Sequence, residues 1–534
     1  MSFPSTLSTI HDRRVQIMKP VSRLNIFKTP NNFNNAERDD KSSKDVPFSD
    51  VPLVFIHGLK GSHLAFHEED NFKFGVKSKY PTKKKKRRAW LTLSGLLNIP
   101  SLDQDHLHRS LALPITYDEN GVQHRDHLFV DGMVDHIIQF GNDGGSEQNV
   151  PSLDLFPFYG HVSEQLNTSD KLYRQKMKGE KIMNEGDVNA YARPTAIFTY
   201  DWRRSIPEVA KEFHEFCEET FPDRPVQVLA HSLGGLISYT AMRHCPEKYS
   251  PGGVLVGVPF GTGIQYLQDI HKGYYTELNR CQQFTPIDQC TFASHWIFFH
   301  TDPDHVKDDY VDVSNHDIDF EFQADKSSIG KSKLDFNSSV IGDPIPIDFH
   351  NVEDWEEHEL GIFHTKHRSS IETEERLDAF RKHMRIQLAA AKEWRESTFK
   401  DLNEKELKEF PPLVLCASDT IPTVNQILRK KSKMTHTGLS LGKSEDSELG
   451  SYMHDYVSGR SVKGDGRIDY DKAFPSNNVS FRKVSLQSPH SKQFCREENG
   501  GDFCNIWDEV NKQMEAYIAT STSGLQNKVS LLRR

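Results

Sequence analysis

The sequence predicts an α/β fold, built on a mostly parallel sheet with helices on both faces. Short and almost continuously apolar runs occur at residues 51–58, 194–202, 225–232, 252–260, 411–418 and 479–488. Helical segments separate them, among them residues 206–221, which carry a proline in the first turn. Apolar strands that alternate with helices are typical of a sheet covered on both sides.

Two long insertions interrupt this pattern, at residues 59–193 and 261–410. The second ends in a long predicted helix whose apolar residues recur every three or four positions and form one stripe. These residues are Leu377, Phe380, Met384, Leu388 and Ala391. We expect the polar residues 1–48 to be a weakly ordered N-terminal segment and residues 521–534 to be a C-terminal tail.

Composition argues against several classes of protein. The chain has 534 residues, a formal charge of −10 and seven cysteines, and this mild acidity indicates no nucleic-acid partner. It contains no apolar run of the roughly 18 residues that a membrane-spanning helix needs, and its start lacks the apolar centre of a secretory signal. We interpret the cysteines as mostly free thiols and expect a cytoplasmic protein, with a Cys281–Cys290 or Cys495–Cys504 bridge as the alternative.

The stretch VQVLAHSLGG at residues 226–235 predicts a strand, a sharp turn of small residues and a helix. Such a turn is typical of a nucleophile elbow, which holds a reactive serine at the end of a strand. Small flanking residues are needed because the strand and the helix nearly touch. Ala230 stands where glycine is usual, and Gly234 keeps the other small position. Ser232 is therefore the candidate nucleophile, and the alternative is a serine that only begins a helix.

A serine nucleophile needs a histidine base and an acid that orients the histidine. In enzymes with this elbow the three residues follow the chain order Ser, Asp or Glu, His. Asp465 lies in a Gly-Asp-Gly turn, and His490 follows the last apolar run. Asp419, directly after the run at 411–418, is the alternative acid, but it lies 71 residues before His490 and Asp465 only 25.

Backbone N–H groups must stabilise the oxyanion that forms during the reaction. The first expected donor is Leu233, the residue after the candidate nucleophile. The second is Leu59, because Gly58 ends the first apolar run and lets the backbone turn close to the site.

A basic run leads into a tryptophan in the first insertion. It consists of Lys83, Lys84, Lys85, Lys86, Arg87 and Arg88, and Trp90 follows. One interpretation is a solvated loop; the other is a membrane-facing lid whose cations contact anionic head groups while Trp90 enters the lipid. The second insertion is acidic at residues 300–360, but its spacing matches no metal motif, so we predict neither a metal nor a cofactor.

Several motifs occur in the order found in the lecithin:cholesterol acyltransferase family, which includes phospholipid:diacylglycerol acyltransferases and lysosomal phospholipases. They lie between residues 51 and 500 and read HGLKGS, AWLTLSGLL, TYDWR, LAHSLGG, ASDTIPTV, GDG and PHSKQF. The resemblance implies an α/β-hydrolase fold with large cap and lid insertions. It also implies Ser232 as nucleophile, Asp465 as acid and His490 as base. The segment ASDTIPTV matches a non-catalytic turn of the family, which favours Asp465 over Asp419.

Residues 49–520 are thus expected to form one α/β-hydrolase catalytic domain, whose insertions build a lid and a cap. The expected function is serine-dependent acyl transfer or hydrolysis of a lipid ester, a phospholipid or an acylglycerol, through an acyl-serine. The lipid ester is the expected partner, together with peripheral contact with an anionic membrane. The alternatives are a non-lipid carboxylesterase and a non-catalytic protein that binds a lipid or a partner.

Overall fold

The computed structural model describes residues 46–68, 85–90, 111–135, 137–142, 151–156, 158–180, 191–261, 264–275, 282–299, 306–308, 345, 347–368, 371, 373–433, 452–458 and 461–532. Most of the predicted N-terminal segment 1–48 lies outside these ranges. Within the part that is described, Phe48 forms an isolated parallel bridge with Ala192.

Six parallel strands form the central sheet, and each lies within a run that the sequence predicts to be a strand. They are β1 (Leu53–Ile56), β2 (Thr195–Phe198), β3 (Gln227–His231), β4 (Gly253–Val256), β5 (Leu413–Ser418) and β6 (Phe481–Leu486). Their order across the sheet is β6-β5-β4-β3-β1-β2, and every neighbouring pair is parallel. Parallel strands place all their carboxyl ends at one edge, where ligand sites of such sheets form.

Helices cover both faces of the sheet. The described α-helices, on the sheet and in the insertions, are α1 (Gly160–Met177), α2 (Ile206–Thr220), α3 (Leu233–His244), α4 (Gln265–Lys272), α5 (Pro286–Cys290), α6 (Val352–Glu357), α7 (Thr365–Arg368), α8 (Glu374–Thr398), α9 (Glu404–Glu409) and α10 (Phe503–Leu532). Successive side chains of β1 point to opposite faces. Phe55 belongs to the apolar cluster that includes α1 and α10, and Ile56 to the cluster that includes α2 and α3. The predicted α/β-hydrolase fold is confirmed.

The insertions carry small β-structures around this body. After β1, Lys85–Trp90, Ser62–Glu68 and Phe129–Met133 form an antiparallel sheet, and Ile137–Asn142 pairs with Pro151–Phe156. After β4, Tyr274–Tyr275 pairs with Gln282–Phe284, which we call the cap ribbon. After β5, Ile421–Val424 pairs with Ser461–Gly464, and Ile427–Lys433 lies between Val306–Asp308 and Tyr452–Ser458.

Two predictions for helical segments differ in outcome. All five residues of the predicted stripe are buried on α8, so that prediction is confirmed. Helix α10 continues to Leu532 and so includes most of residues 521–534, which the sequence predicts to be a C-terminal tail. The residues after Ile518 contain no proline and a single glycine, so the helix meets no strong stop signal there.

Neither candidate disulfide forms, because Cys290, Cys495 and Cys504 are free thiols. Among the described helices, none combines the length and the apolar character needed to cross a bilayer.

Candidate active site

Ser232 lies in the turn between β3 and α3, at the carboxyl edge of the central sheet. Its backbone has φ 51° and ψ −124°, a conformation that residues with a side chain rarely adopt. The Ser232 N–H donates to the Val256 carbonyl at the end of β4, at 2.8 Å. Ser232 therefore has the strained and anchored backbone of a nucleophile elbow.

Close packing explains the small residues around this turn. A Cβ on Gly234 would overlap the carbonyl oxygen of His57, and a Cβ on Gly58 would lie 2.8 Å from the Cβ of Ser232. The loop after β1 therefore crosses directly against the candidate nucleophile. Ala230, where glycine is usual, is fully buried in the core and is accommodated there.

The imidazole of His490 lies between Ser232 and Asp465. Its Nε2 is 3.0 Å from Ser232 Oγ, and its Nδ1 is 2.7 Å from Asp465 Oδ2. When Nδ1 carries the proton, the ring donates to the carboxylate and Nε2 accepts from the serine hydroxyl. This is the arrangement in which a histidine acts as a general base towards a serine.

Further hydrogen bonds fix the orientation of Asp465. The backbone N–H groups of Arg467 and Ile468 donate to Oδ1 at 2.9 and 2.7 Å, and the Gln493 amide donates to Oδ2 at 3.2 Å. The His490 N–H donates to the Asp465 carbonyl oxygen at 2.8 Å. The acid and the base are thus joined through their backbones as well as their side chains.

Asp419, the alternative acid, lies outside this hydrogen-bonded chain. It follows β5 and accepts a hydrogen bond from the Ser485 hydroxyl at 3.1 Å. Asp465 reaches the site because Ser461–Gly464 pairs with Ile421–Val424, close to the end of β5. The geometry favours Asp465 as the partner of the histidine.

Two buried neighbours of the site, Tyr159 and His231, have no signal in the sequence. The Gly58 N–H donates to Tyr159 Oη at 3.0 Å, and this hydroxyl lies 2.6 Å from His231 Nδ1. Burial, and after it the neighbouring His490, lowers the pKa of His231 well below its usual value. Nδ1 of a neutral His231 can accept a hydrogen bond from the Tyr159 hydroxyl. One chain of hydrogen bonds therefore joins the loop after β1 to the elbow.

His57 fixes the same loop from its other side. Its Nδ1 donates to the Gly58 carbonyl at 2.8 Å, and its Nε2 accepts from the Ser62 hydroxyl. Burial lowers the pKa of His57 to about 4, so the ring is neutral near pH 7. Tyr200 stacks on it with 4.5 Å between ring centroids and donates its hydroxyl to the His57 carbonyl at 2.8 Å.

The backbone N–H groups of Leu59 and Leu233 are the oxyanion donors that the sequence predicts. The Gly58 N–H is occupied by Tyr159. Within the described part of the chain, the N–H groups of Leu59 and Leu233 have no acceptor. Leu233 is the first residue of α3, and N–H groups at a helix start have no acceptor within the helix. Neither predicted donor therefore has a competing acceptor among the described residues.

Arg203, in the TYDWR motif, ties the first insertion to the sheet. Its fully buried guanidinium forms ion pairs with Asp126 at 2.6 Å and with Asp201 at 2.8 Å. It also donates to the Leu111 carbonyl at 2.7 Å. Asp126 and Leu111 belong to the insertion, and Arg203 follows the end of β2, so this contact holds the insertion beside the site.

Trp90, which the membrane-facing interpretation places in the lipid, is buried in this structure. Trp90 ends the strand Lys85–Trp90 and is only 5% exposed. Its indole N–H donates to the Lys60 carbonyl at 3.1 Å, and its ring packs against Trp202 and Phe284. The aromatic side chain fills the core because antiparallel pairing turns one face of the strand inwards.

The basic run itself is only partly described. Lys86 and Arg88 are exposed and form ion pairs with Asp131 on the strand Phe129–Met133. Lys83 and Lys84, together with most of the acidic stretch 300–360, lie outside the described residues. Within those that are described, no group of three or more His, Cys, Asp or Glu side chains has the arrangement of a metal site.

No protein-family model and no curated protein sequence matches the chain. Among solved structures, the Tle4–Tli4 complex is similar at 12% identity and a TM-score of 0.45, over 87% of this chain and 99% of the other. The phospholipase PlaB from Legionella pneumophila is similar at 13% identity and a TM-score of 0.15, over 26% of this chain and 33% of the other. Similarity this distant assigns neither a substrate nor an activity to the chain.

Proposed function

We propose that the protein is a serine-dependent hydrolase or O-acyltransferase that acts on lipid esters. The observation that carries this proposal is the hydrogen-bonded chain Ser232–His490–Asp465, with the serine on a strained turn between strand and helix. Each group has the partner that its role requires: the serine a base, the base an orienting carboxylate, and the oxyanion two free N–H donors.

In the proposed reaction, His490 Nε2 takes the hydroxyl proton of Ser232 as Oγ attacks the ester carbonyl carbon. Asp465 stabilises the imidazolium, and the N–H groups of Leu59 and Leu233 stabilise the tetrahedral oxyanion. His490 then gives the proton to the leaving alcohol, and the acyl group stays on Ser232. Water or a second alcohol attacks this acyl-serine, again with His490 as base, and releases an acid or a new ester.

The lipid substrate is proposed from the motifs that resemble the lecithin:cholesterol acyltransferase family. The cap ribbon and α4 are rich in aromatic side chains: the ring of Tyr266 stacks on Phe298, and the ring of Phe284 packs against Tyr274. A cytoplasmic location and a peripheral contact between the exposed Lys86 and Arg88 and an anionic membrane belong to the same proposal.

The first test is labelling with a fluorophosphonate, which reacts covalently with an activated serine. We expect the wild type to be labelled and Ser232→Ala not to be labelled. The matched control is Ser485→Ala, which removes an exposed hydroxyl bonded to Asp419 and should leave labelling unchanged. A folded wild-type protein that never reacts would instead favour the non-catalytic, lipid-binding alternative.

The second test separates the acyl acceptors and the substrate classes. The protein is incubated with mixed phospholipid, diacylglycerol and sterol, and the products are identified by mass. Free fatty acid alone indicates water as acceptor, whereas triacylglycerol or steryl ester indicates acyl transfer. Equal rates on monomeric and micellar esters, with no lipid product, would favour a non-lipid carboxylesterase.

A further inference from the structure

Lys60 occupies an unusual position directly after Leu59. Its φ is 65°, in the left-handed region that residues with a side chain rarely adopt, and its carbonyl is held by the Trp90 indole. The side chain extends to the cap ribbon, where Nζ lies 3.2 Å from the centroid of the Tyr274 ring and 5.1 Å from that of Phe284. A strained and anchored backbone thus places a cation between the loop after β1 and the rings of the cap ribbon.

The Lys60 ammonium has aromatic neighbours but no oxygen acceptor in the part of the chain that the structure describes. Aromatic rings attract a cation through their faces, but three N–H donors call for oxygen acceptors. Among the described residues, none accepts a hydrogen bond from Nζ or forms an ion pair with it. Asp269 on α4 attracts the ammonium, yet its carboxylate already pairs with Arg467 at 3.3 Å.

Arg467 joins this cluster to the candidate acid. It lies two residues after Asp465, and its N–H donates to the Asp465 carboxylate. The Tyr266 phenol on α4 interacts electrostatically with Arg467, Asp269 and Asp465, so the cluster adjoins the acid of the site. The Arg467 side chain is 35% exposed.

Among the described residues, the Asp269 carboxylate is the acidic group that attracts the Lys60 ammonium. The same carboxylate pairs with Arg467, and Asp465 is engaged with His490. Burial lowers the pKa of Lys60 to about 7, while Asp269 raises it and Arg467 lowers it. His295 adds no charge, because burial, and after it Lys60, lowers the pKa of that histidine well below its usual value. A bound anion would favour the protonated lysine, so binding takes up a proton near neutral pH.

We propose that Lys60 and Arg467 form an anion-binding subsite that holds the phosphodiester of a glycerophospholipid while an acyl carbonyl of the same molecule lies at Ser232. The inference rests on the proposed serine hydrolase function and names its substrate class. In a glycerophospholipid the phosphate lies only a few bonds from the ester carbonyls. A phosphate beside Lys60 therefore leaves a carbonyl within reach of the adjacent Leu59 N–H.

Selectivity between charged and neutral esters tests this subsite. The ratio of kcat/KM for monomeric dihexanoyl phosphatidylglycerol to that for dihexanoylglycerol is measured in each variant, because the ratio cancels effects on His490 and on the oxyanion donors. We expect the ratio to fall roughly ten- to a hundredfold in Lys60→Met, as for loss of a charge-assisted hydrogen bond, and to fall also in Arg467→Gln. The matched control is Lys463→Met, an exposed lysine on the strand Ser461–Gly464, which should leave the ratio unchanged.

The pH dependence of the same kcat/KM ratio tests whether Lys60 is the group whose charge controls selectivity. Because the Lys60 pKa is about 7, the wild-type ratio should decrease as pH rises from 6 to 9. Lys60→Arg keeps its charge throughout this range, so its ratio should stay flat. A ratio that is unchanged in Lys60→Met, or that varies with pH equally in wild type and Lys60→Arg, would overturn the proposal.

A binding measurement separates this inference from the proposed function. The Ser232→Ala protein, which cannot turn over ester, is titrated calorimetrically with dihexanoyl phosphatidylglycerol and with inorganic phosphate. We expect the phospholipid to bind Ser232→Ala at pH 6.5. We expect it to bind at least tenfold more weakly to the double variant that carries both Ser232→Ala and Lys60→Met. If the phospholipid binds but the wild type hydrolyses no ester, the proposed function is wrong and the anion-binding subsite is still supported. If inorganic phosphate binds as tightly as the phospholipid, the subsite recognises free phosphate, and the assignment of a phospholipid substrate is overturned.

Discussion

The Ser232 hydroxyl gives up its proton only if His490 presents a free Nε2 to it, and Asp465 controls which ring nitrogen is free. The 2.7 Å contact between Asp465 Oδ2 and His490 Nδ1 favours a proton on Nδ1. A neutral amide at position 465 would allow the opposite tautomer, in which Nε2 is already protonated. The orientation of one ring thus decides whether the serine is a nucleophile.

We therefore expect Asp465→Asn to lower kcat by about a thousandfold or more while the fold is kept. The matched change is Asp419→Asn, which alters a carboxylate bonded only to the Ser485 hydroxyl among its described contacts. It should change kcat less than about threefold, since Asp419 does not contact the base. Steady-state kinetics on a short-chain ester measure both variants, and a larger loss in Asp419→Asn would reverse the assignment of the acid.

Tyr159 connects the loop that carries Leu59 to the elbow that carries Ser232. Tyr159→Phe removes one hydroxyl and leaves both the Gly58 N–H and His231 Nδ1 without a partner. We expect kcat to fall about tenfold with little change in KM, and the free energy of unfolding to fall by about 1–3 kcal/mol. Tyr173→Phe, which removes a surface hydroxyl bonded to Asp50, is the control. If kcat of Tyr159→Phe, measured well below the melting temperature of that variant, equals the wild-type value, Tyr159 has a purely structural role.

Individual site residues differ in how far the sequence reveals them. Ser232 and Asp465 lie in turns whose small residues are visible in the sequence, and His490 follows an apolar strand. Tyr159 is 72 residues from His231 and is surrounded by no motif, so only the fold shows that the two meet. The position of Lys60 could not be predicted either, because its aromatic contacts come from the cap ribbon, which is distant in the sequence.

At the level of elements, the buried parallel strands could be predicted because burial on both faces makes them continuously apolar. The strand Lys85–Trp90 could not, since its sequence KKRRAW has the charge of a solvated loop. It forms because Ser62–Glu68 offers an antiparallel partner, and its exposed Lys86 meets Asp131. Partners distant in sequence thus override local preference.

The contact between insertion and sheet also depends on one buried cation. Arg203→Met would leave the largely covered carboxylates of Asp126 and Asp201 without their fully buried partner. We expect the free energy of unfolding to fall by about 3–5 kcal/mol, measured by urea denaturation. Arg125→Met breaks exposed ion pairs with Glu208 and Glu212 and should cost about 1 kcal/mol or less. Similar losses in the two variants would show that Arg203 does not hold the insertion.

The molecule as a whole should be sensitive to mild acid, because several buried histidines are neutral. Burial lowers the pKa of His57, His63 and His383 to about 4, and it lowers the pKa of His231 and His295 well below the usual value. The unfolded chain binds protons at these histidines near pH 6.5, whereas the folded chain does not. The free energy of unfolding should therefore fall as pH drops from about 7 towards 4, by about 3 kcal/mol for His57 alone.

Urea denaturation between pH 7.5 and 5 checks this expectation, since most carboxylates titrate at lower pH. His383→Gln should reduce the pH dependence, whereas His67→Gln, at an exposed position, should not. An unfolding free energy that is the same at pH 5 and pH 7.5 would contradict the prediction.

Trp90 also provides an intrinsic optical reporter. Its indole lies 4.9 Å from the Phe284 ring of the cap ribbon and 5.6 Å from Trp202, measured between centroids. Any opening of the ribbon would hydrate this indole, shift its fluorescence emission to longer wavelength and uncover the Lys60 ammonium in the same movement. Substrate entry could thus be followed in real time by stopped-flow emission, without attaching a dye.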